Sequence, residues 1–257
     1  MTLLENRTAV VTGGSSGIGR AISLAYAEEG ADVVIADLRA EPREGGEPTH
    51  QRIVDETDRS ASFVDCDVTD RADLAAAVDA ADEFGGIDVM VNNAGFFRAE
   101  DFLEVDPDGF YQTMDVNVFG TFFGAQAAAR KMVDQDDGGV ILNLSSTSGI
   151  EGARNYVSYC ASKGAVRLMS YALAAELGRE GIRVNAIHPG IVETTMTQED
   201  VPIVGTDAGE AYKREIPSGR YAQPEDIADA AVFLASDMGE YVNGSSLVLD
   251  GGLTNTT

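Results

Sequence analysis

Short runs rich in Val, Ile and Ala alternate along the chain with stretches of helical spacing. TAVVTG (8–13), ADVVIAD (31–37), ASFVDCD (61–67) and IDVMVNN (87–93) read as buried strands. So do GGVILNLSS (138–146), IRVNAIH (182–188) and SSLVLD (245–250). GIGRAISLAYAEEG (17–30) and RADLAAAVDAADEFGG (71–86) carry helical spacing, the second after the capping run DVTD and before a Gly pair. The stretch 106–133 opens with Asp106 and Pro107, a cap followed by proline at the first helical position, and reads as one long helix. Such alternation implies an α/β fold, a parallel sheet with helices on both faces. Ligands of such sheets bind beyond the carboxyl ends of the strands, so the informative residues should lie just after strands.

No Pro/Gly/Ser-rich linker or fixed-period repeat divides the 257 residues, so the chain reads as a single domain, 1–257. The formal net charge is −25, with the acid dispersed rather than gathered in a tail. Such a chain repels phosphate backbones and anionic membranes, which argues against nucleic-acid or membrane-surface partners. The only lysines are Lys131, Lys163 and Lys213. Dispersed acid with so little lysine suits a halophile, whose salty cytoplasm screens the self-repulsion. Two cysteines, Cys66 and Cys160, make no disulfide framework. The N-terminal run lacks the basic-then-apolar pattern of a signal peptide, and no apolar stretch is long enough to span a bilayer. The expectation is a soluble, cytoplasmic protein.

TGGSSGIG (12–19) follows the first strand and opens a helix. Gly13, Gly17 and Gly19, spaced G-x-x-x-G-x-G, permit a tight turn and close approach of a pyrophosphate to the helix N-terminus. This is neither the G-x-G-x-x-G fingerprint nor a P-loop. Asp37 ends the second strand, where a carboxylate can accept from adenosine ribose hydroxyls and repel a 2′-phosphate. An ordinary strand-end cap is the plainer role for such an Asp.

Tyr159 and Lys163, in YCASK, stand four apart and share one helix face. A free phenol, with a pKa of about 10, is a poor base near neutrality. A nearby ammonium stabilises phenolate, so the pair makes a general acid/base for alcohol–ketone interconversion, with Lys163 expected to depress the Tyr159 pKa. Ser146 lies thirteen residues before Tyr159 at a strand end, where its hydroxyl can bind a substrate oxygen that develops charge. Ser145 and Ser148 compete for that role.

This ordered set resembles the short-chain dehydrogenase/reductase family over nearly the whole chain. The resemblance implies a Rossmann-type, doubly wound, parallel seven-stranded sheet in the order 3-2-1-4-5-6-7. It implies catalysis by Asn117, Ser146, Tyr159 and Lys163, with Asn117 holding a proton-relay water and Lys163 also holding the nicotinamide ribose. It implies a dinucleotide held by Gly13, Ser15, Ser16, Gly17, Ile18 and Gly19 of the glycine motif, and by Asp37 and Leu38. Asp67 and Val68 resemble the adenine contact, and Asn93, Ala94 and Gly95 the motif after the fourth strand. Pro189, Gly190, Val192 and Thr194 resemble the nicotinamide loop. No metal is implied. The cofactor expected is NAD in preference to NADP, since Asp37 opposes a 2′-phosphate, although Arg39 and Arg43 in the polar connection 38–50 can reach the adenosine end.

The substrate implied is a small-molecule alcohol or ketone, of sugar or hydroxy-acid type, with a 3-oxoacyl thioester as the alternative. Selection should lie in a lid around 191–218 and in EGARNY (151–156), with Arg154 and Asn155 meeting substrate and Phe96 and Phe97 forming an apolar wall. His188, one of two histidines, should pack beside the nicotinamide. A non-catalytic dinucleotide sensor is the reading from another class. The stretch 116–129 is apolar nearly all round, which with the resemblance implies a homotetramer.

Overall fold

A computed structural model describes residues 2–256. Its strands are β1 (Thr8–Thr12), β2 (Asp32–Asp37), β3 (Ala61–Asp65), β4 (Val89–Asn92), β5 (Gly139–Leu144), β6 (Ile182–Pro189) and β7 (Ser246–Leu249). They form one seven-stranded sheet in the order β3-β2-β1-β4-β5-β6-β7, every pair parallel. The helices that flank it are α1 (Gly17–Glu28), α2 (Thr49–Glu56), α3 (Arg71–Asp79), α4 (Pro107–Met114), α5 (Thr121–Gln135), α6 (Val157–Leu177), α7 (Asp207–Lys213) and α8 (Pro224–Ala235).

The strands are apolar at successive positions because each face has its own core. Val11, Val33 and Ile35 pack with Ile22 and Tyr26 of α1 and with Ile227 and Ala231 of α8. Their sequence neighbours Val10, Val34 and Ala36 point the other way, onto Leu74 of α3 and Ala128 and Met132 of α5. The strand order places the β1 and β4 ends side by side, with the chain leaving them in opposite directions along the sheet. A crevice opens there, at the carboxyl edge.

Two sequence expectations are refined. The stretch 106–133 is helical without a break from Pro107, but not regular throughout. Asp106 does cap α4, its carboxylate accepting from the Gly109 amide at 2.9 Å. A wide π-turn over Asp115–Gly120 then separates α4 from α5. The helix passes so close to β3's continuation at this point that a Cβ on Gly120 would come within 2.9 Å of a Val68 methyl. Such π-turns gather at functional sites, and this one carries Asn117. The connection after Asp37 is also shorter than 38–50 suggested, because Thr49 already begins α2. Thr49 is buried, donating to the Ser15 carbonyl and accepting from Arg20.

Candidate active site

The glycine turn joins β1 to α1. Gly13 (φ +65°) and Gly17 (φ +54°) adopt left-handed backbone, which accounts for glycine at both bends. A Cβ on Gly19 would overlap the Gly13 carbonyl oxygen, so α1 can close onto the turn only with glycine there. The Gly17 amide at the start of α1 already binds an anionic oxygen: Glu44, from the loop after β2, accepts from it at 3.0 Å. That carboxylate stands in for the kind of oxygen a phosphate would present at a helix N-terminus. Ser15 Oγ is buried without a hydrogen-bond partner. The turn therefore fits a dinucleotide pyrophosphate.

Asp37 ties β2 to this turn, accepting from the Ser15 amide at 3.0 Å and from the Leu38 amide at 2.8 Å. Burial raises its carboxyl from the ordinary value, while those two amides pull it down. The strand-end cap is thus real, and the same carboxylate borders the cleft. Arg43, expected near the adenosine, instead makes a two-pronged ion pair with Asp200 at 2.6 and 2.7 Å. Its amide donates to Ser16 Oγ at 2.7 Å, which lays the loop on the glycine turn.

On the far side of β1, Asn93 staples β4's end to the turn. Its amide group donates to the carbonyls of Thr12 and Gly13 at 3.0 and 3.2 Å. Thr12 Oγ1 in turn accepts from the amides of Asn93 and Ala94.

The end of β5 and helix α6 bring the catalytic candidates together. Ser145 Oγ donates to the Lys163 carbonyl at 2.8 Å, so it faces α6 and is spent. Ser146 Oγ accepts from the Ser148 amide at 3.1 Å and remains on the cleft with Tyr159. Burial pushes the Tyr159 phenol up to about 12, against a contact with Ser146 that lowers it. In this arrangement Lys163 does not offset that rise. The ammonium sits 5.7 Å from the Tyr159 ring centre and donates to the Leu144 carbonyl at 2.8 Å, not to the phenol. Burial also lowers Lys163 to about 8.

Asn117 does not border the cleft. Its carboxamide accepts from the Phe96 amide at 2.7 Å and donates to the Phe96 carbonyl at 2.9 Å and to Ser162 Oγ at 3.0 Å. It clamps the chain after β4 to α6 rather than presenting a free polar atom.

All these elements open on one cleft of about 920 Å³. It runs from Asp37, Leu38, Asp67 and Val68, past Gly13, Ser16, Gly17, Ile18 and Asn93–Gly95, to Ser146, Tyr159 and Lys163. Pro189, Gly190, Val192 and Thr194 form the opposite wall. Of the sequence-named cofactor residues, Ser15 and Gly19 do not line the cleft and instead shape the glycine turn, Ser15 against Asp37 and Gly19 against Gly13. His188 is also fully buried and off the cleft, next to Pro189, which lines it. Arg154 and Asn155 are exposed and off the cleft as well, the latter with its carbonyl on the Glu100 amide.

Phe96 and Phe97 do line it, with the Phe97 ring packed at a tilt against Tyr156 at 5.0 Å and against Tyr159 at 4.6 Å. Met196, Ile203, Ala208 and Tyr212 complete this end, none of them named from sequence. They fall within the 191–218 stretch expected to select substrate, in the short helices Met196–Asp200 and Asp207–Lys213 and the connection between them, but no pattern marks them individually. Among the described residues, no His/Cys/Asp/Glu group could hold a metal, and no helix is long and apolar enough to cross a membrane.

A family model described as Enoyl-(Acyl carrier protein) reductase matches residues 13–254. A D-threitol dehydrogenase of Mycolicibacterium smegmatis is 42% identical over 98% of this chain and 94% of its own. An L-2,3-butanediol dehydrogenase of Corynebacterium glutamicum is 41% identical over 96% and 98%. Among solved structures, a gluconate 5-dehydrogenase of Burkholderia cenocepacia, in complex with NADP and tartrate, superposes with a TM-score of 0.90 at 35% identity, covering 99% of this chain and 97% of that one. With the sheet order, the glycine turn and the Ser146–Tyr159–Lys163 cluster in place, the chain belongs to the short-chain dehydrogenase/reductase family of NAD(P)-dependent oxidoreductases.

Proposed function

We propose that the protein oxidises an uncharged secondary alcohol, or reduces the matching ketone, with NAD preferred over NADP. One observation carries this: Ser146, Tyr159 and Lys163 share a continuous cleft with the glycine turn and Asp37. Tyr159 exchanges the proton with the substrate oxygen, and Ser146 Oγ binds that oxygen as charge develops. Lys163 supplies the positive charge behind the phenol, and Asn117 positions α6 through Ser162. The glycine turn, Asp37 and the wall 189–194 would hold the dinucleotide, which when bound supplies or accepts the hydride. The protein is one domain, with 191–218 as its substrate lid.

The substrate's lack of charge follows from the cleft walls. The cations there are Arg39 and Arg43, beside Asp37 and Ser16, and Lys163. Phe96, Phe97, Tyr156, Ile203 and Ala208 offer no cation for a carboxylate, and a buried charge without a partner is costly. A vicinal diol or polyol with an apolar face suits this wall. Turnover assays with diols, sugars, sugar acids and a 3-oxoacyl thioester test the reading. Neutral diols or polyols should give the highest kcat/KM. Preference for the sugar acids or the thioester would overturn it, and no turnover at all would favour a dinucleotide sensor.

The cofactor preference rests on Asp37. A 2′-phosphate beside it meets like charge, and Arg43 is already held by Asp200. Asp37→Ala should narrow or reverse the NAD-over-NADP ratio of kcat/KM by about tenfold or more, the scale of hydrogen bonds to a charged group. An unchanged ratio would leave Asp37 as a cap alone.

Phe119 in the π-turn, Phe122 at the start of α5, and Val157 and Leu168 on α6, are exposed. We assign this apolar surface to a homotetramer in a salty, reducing cytoplasm, consistent with the free thiols Cys66 and Cys160. Light scattering in molar salt should give four chains. With salt removed, the net charge of −25 should loosen the assembly and lower activity. A monomer in salt, or full activity in dilute buffer, would contradict this.

A further inference from the structure

His188 is fully buried at the end of β6, and the reaction as described makes no use of it. Burial lowers its pKa, and the nearby charges of Arg167 and Lys163 act in the same direction. Its Nδ1 lies 2.8 Å from the Ser146 carbonyl oxygen, and its Nε2 lies 2.8 Å from Ser246 Oγ. Ser246 Oγ is 2.6 Å from the Tyr171 hydroxyl, to which Arg167 Nε donates at 2.9 Å.

For a neutral imidazole, these contacts allow one arrangement of protons. A carbonyl only accepts, so Nδ1 carries the proton and donates to Ser146. Nε2 must then accept, so Ser246 gives it its only hydroxyl proton. Tyr171 therefore donates to Ser246 and accepts from Arg167, which can only donate. The chain runs in one direction, Arg167 to Tyr171 to Ser246 to His188 to Ser146. It starts on α6, crosses β7 and β6, and ends on Ser146, two residues past β5.

We propose that His188 is a positioning residue, the central link of a hydrogen-bond chain that sets the helix bearing Tyr159 against the strand end bearing Ser146. Catalysis requires both hydroxyls to converge on one substrate oxygen, and small misplacements there are costly. Two ties already join α6 to β5 at Lys163: its Nζ on the Leu144 carbonyl and its own carbonyl under Ser145 Oγ. The His188 chain adds ties at Arg167 and Tyr171, one and two turns further along α6. Together they hold the helix against rotation as well as displacement. The Ser146 carbonyl also accepts from the Gly149 amide at 2.9 Å, so the residue is held from both sides.

This proposal rests on the dehydrogenase reading, and its test separates the two. The protein has only two histidines, so with ¹⁵N-histidine labelling the His50→Gln variant assigns both imidazoles. At neutral pH His188 should be the neutral Nδ1–H tautomer, a readout that needs no turnover. Tyr171→Phe cuts the chain away from the cleft and keeps the ring. It should shift the His188 nitrogen signals and lower kcat by about three- to tenfold, with both KM values within about twofold, as for a loss of orientation rather than binding. His188→Asn, which keeps an N–H near the Nδ1 position, should retain more kcat than His188→Gln, which does not. An Nε2–H tautomer or an imidazolium would overturn the proposal. So would an unchanged kcat in Tyr171→Phe, or equal kcat in the Asn and Gln variants. If the unaltered protein turns over no substrate on the panel, the dehydrogenase reading falls, and the positioning role with it.

Discussion

With Phe at position 159, turnover is expected to fall at least about a hundredfold, the lower range for losing a general acid. Dinucleotide binding should persist. The Tyr159 ring packs at a tilt against Phe97 at 4.6 Å, a contact that Phe preserves, so the loss reports the hydroxyl rather than the ring. Burial holds this phenol near 12, well above neutrality, so its proton stays in place and it is poised to donate to a ketone oxygen. Alcohol oxidation needs the opposite state, so oxidation should quicken as pH rises while reduction does not. The residual rate of Tyr159→Phe should lack that rise. Single-turnover rates in both directions, with cofactor affinity measured separately, decide the matter. Near-normal turnover in the variant would remove Tyr159 from the mechanism.

The parts of the site that lie next to one another along the chain are legible in the amino-acid sequence alone. TGGSSGIG signals its turn because only glycine suits the left-handed bends at Gly13 and Gly17 and the close approach at Gly19. YCASK signals a shared helix face because residues four apart must share it. Seven strands can be placed because their apolar runs are continuous, as buried parallel strands require, and their order follows from the family resemblance. What stays hidden depends on tertiary packing. The π-turn at Asp115–Gly120 has no local pattern to announce it, and Gly120 is needed only because Val68 packs close by. Arg43 cannot be assigned from its neighbours because Asp200, its partner, lies 157 residues away. The family resemblance gives Asn117 a water to hold, but its carboxamide is committed to Phe96 and Ser162. A place next to Pro189 gives no direction for the His188 ring, whose partners come from separate elements of the fold.

Lys163 is where stability and catalysis pull apart. It is 4% exposed, and its ammonium has a backbone carbonyl but no carboxylate partner among the ion pairs of the described residues. Burial lowers it from 10.5 to about 8. Between those values the unfolded chain binds the proton and the folded chain does not, so stability from this residue rises with pH. The penalty of holding the charge is about 3 kcal/mol at neutral pH, taking 1.36 kcal/mol per pKa unit. Tyr159 and Cys66, both pushed up to about 12, act in the opposite direction above pH 9 to 10, so the raw stability curve mixes the three. Lys163→Met isolates one of them, since the thioether chain fills similar volume without charge. The difference in unfolding free energy, unaltered protein minus variant, should rise by about 2 kcal/mol between pH 7.5 and 9.5. The same variant should lose at least about a hundredfold in turnover, because no cation then stabilises phenolate behind Tyr159. Urea unfolding of both proteins across that range, with cofactor absent, reads the first effect, and steady-state assays read the second. A flat difference curve would mean that Lys163 keeps its charge in the folded protein as readily as in water. Retained turnover would mean that the phenol needs no ammonium beside it.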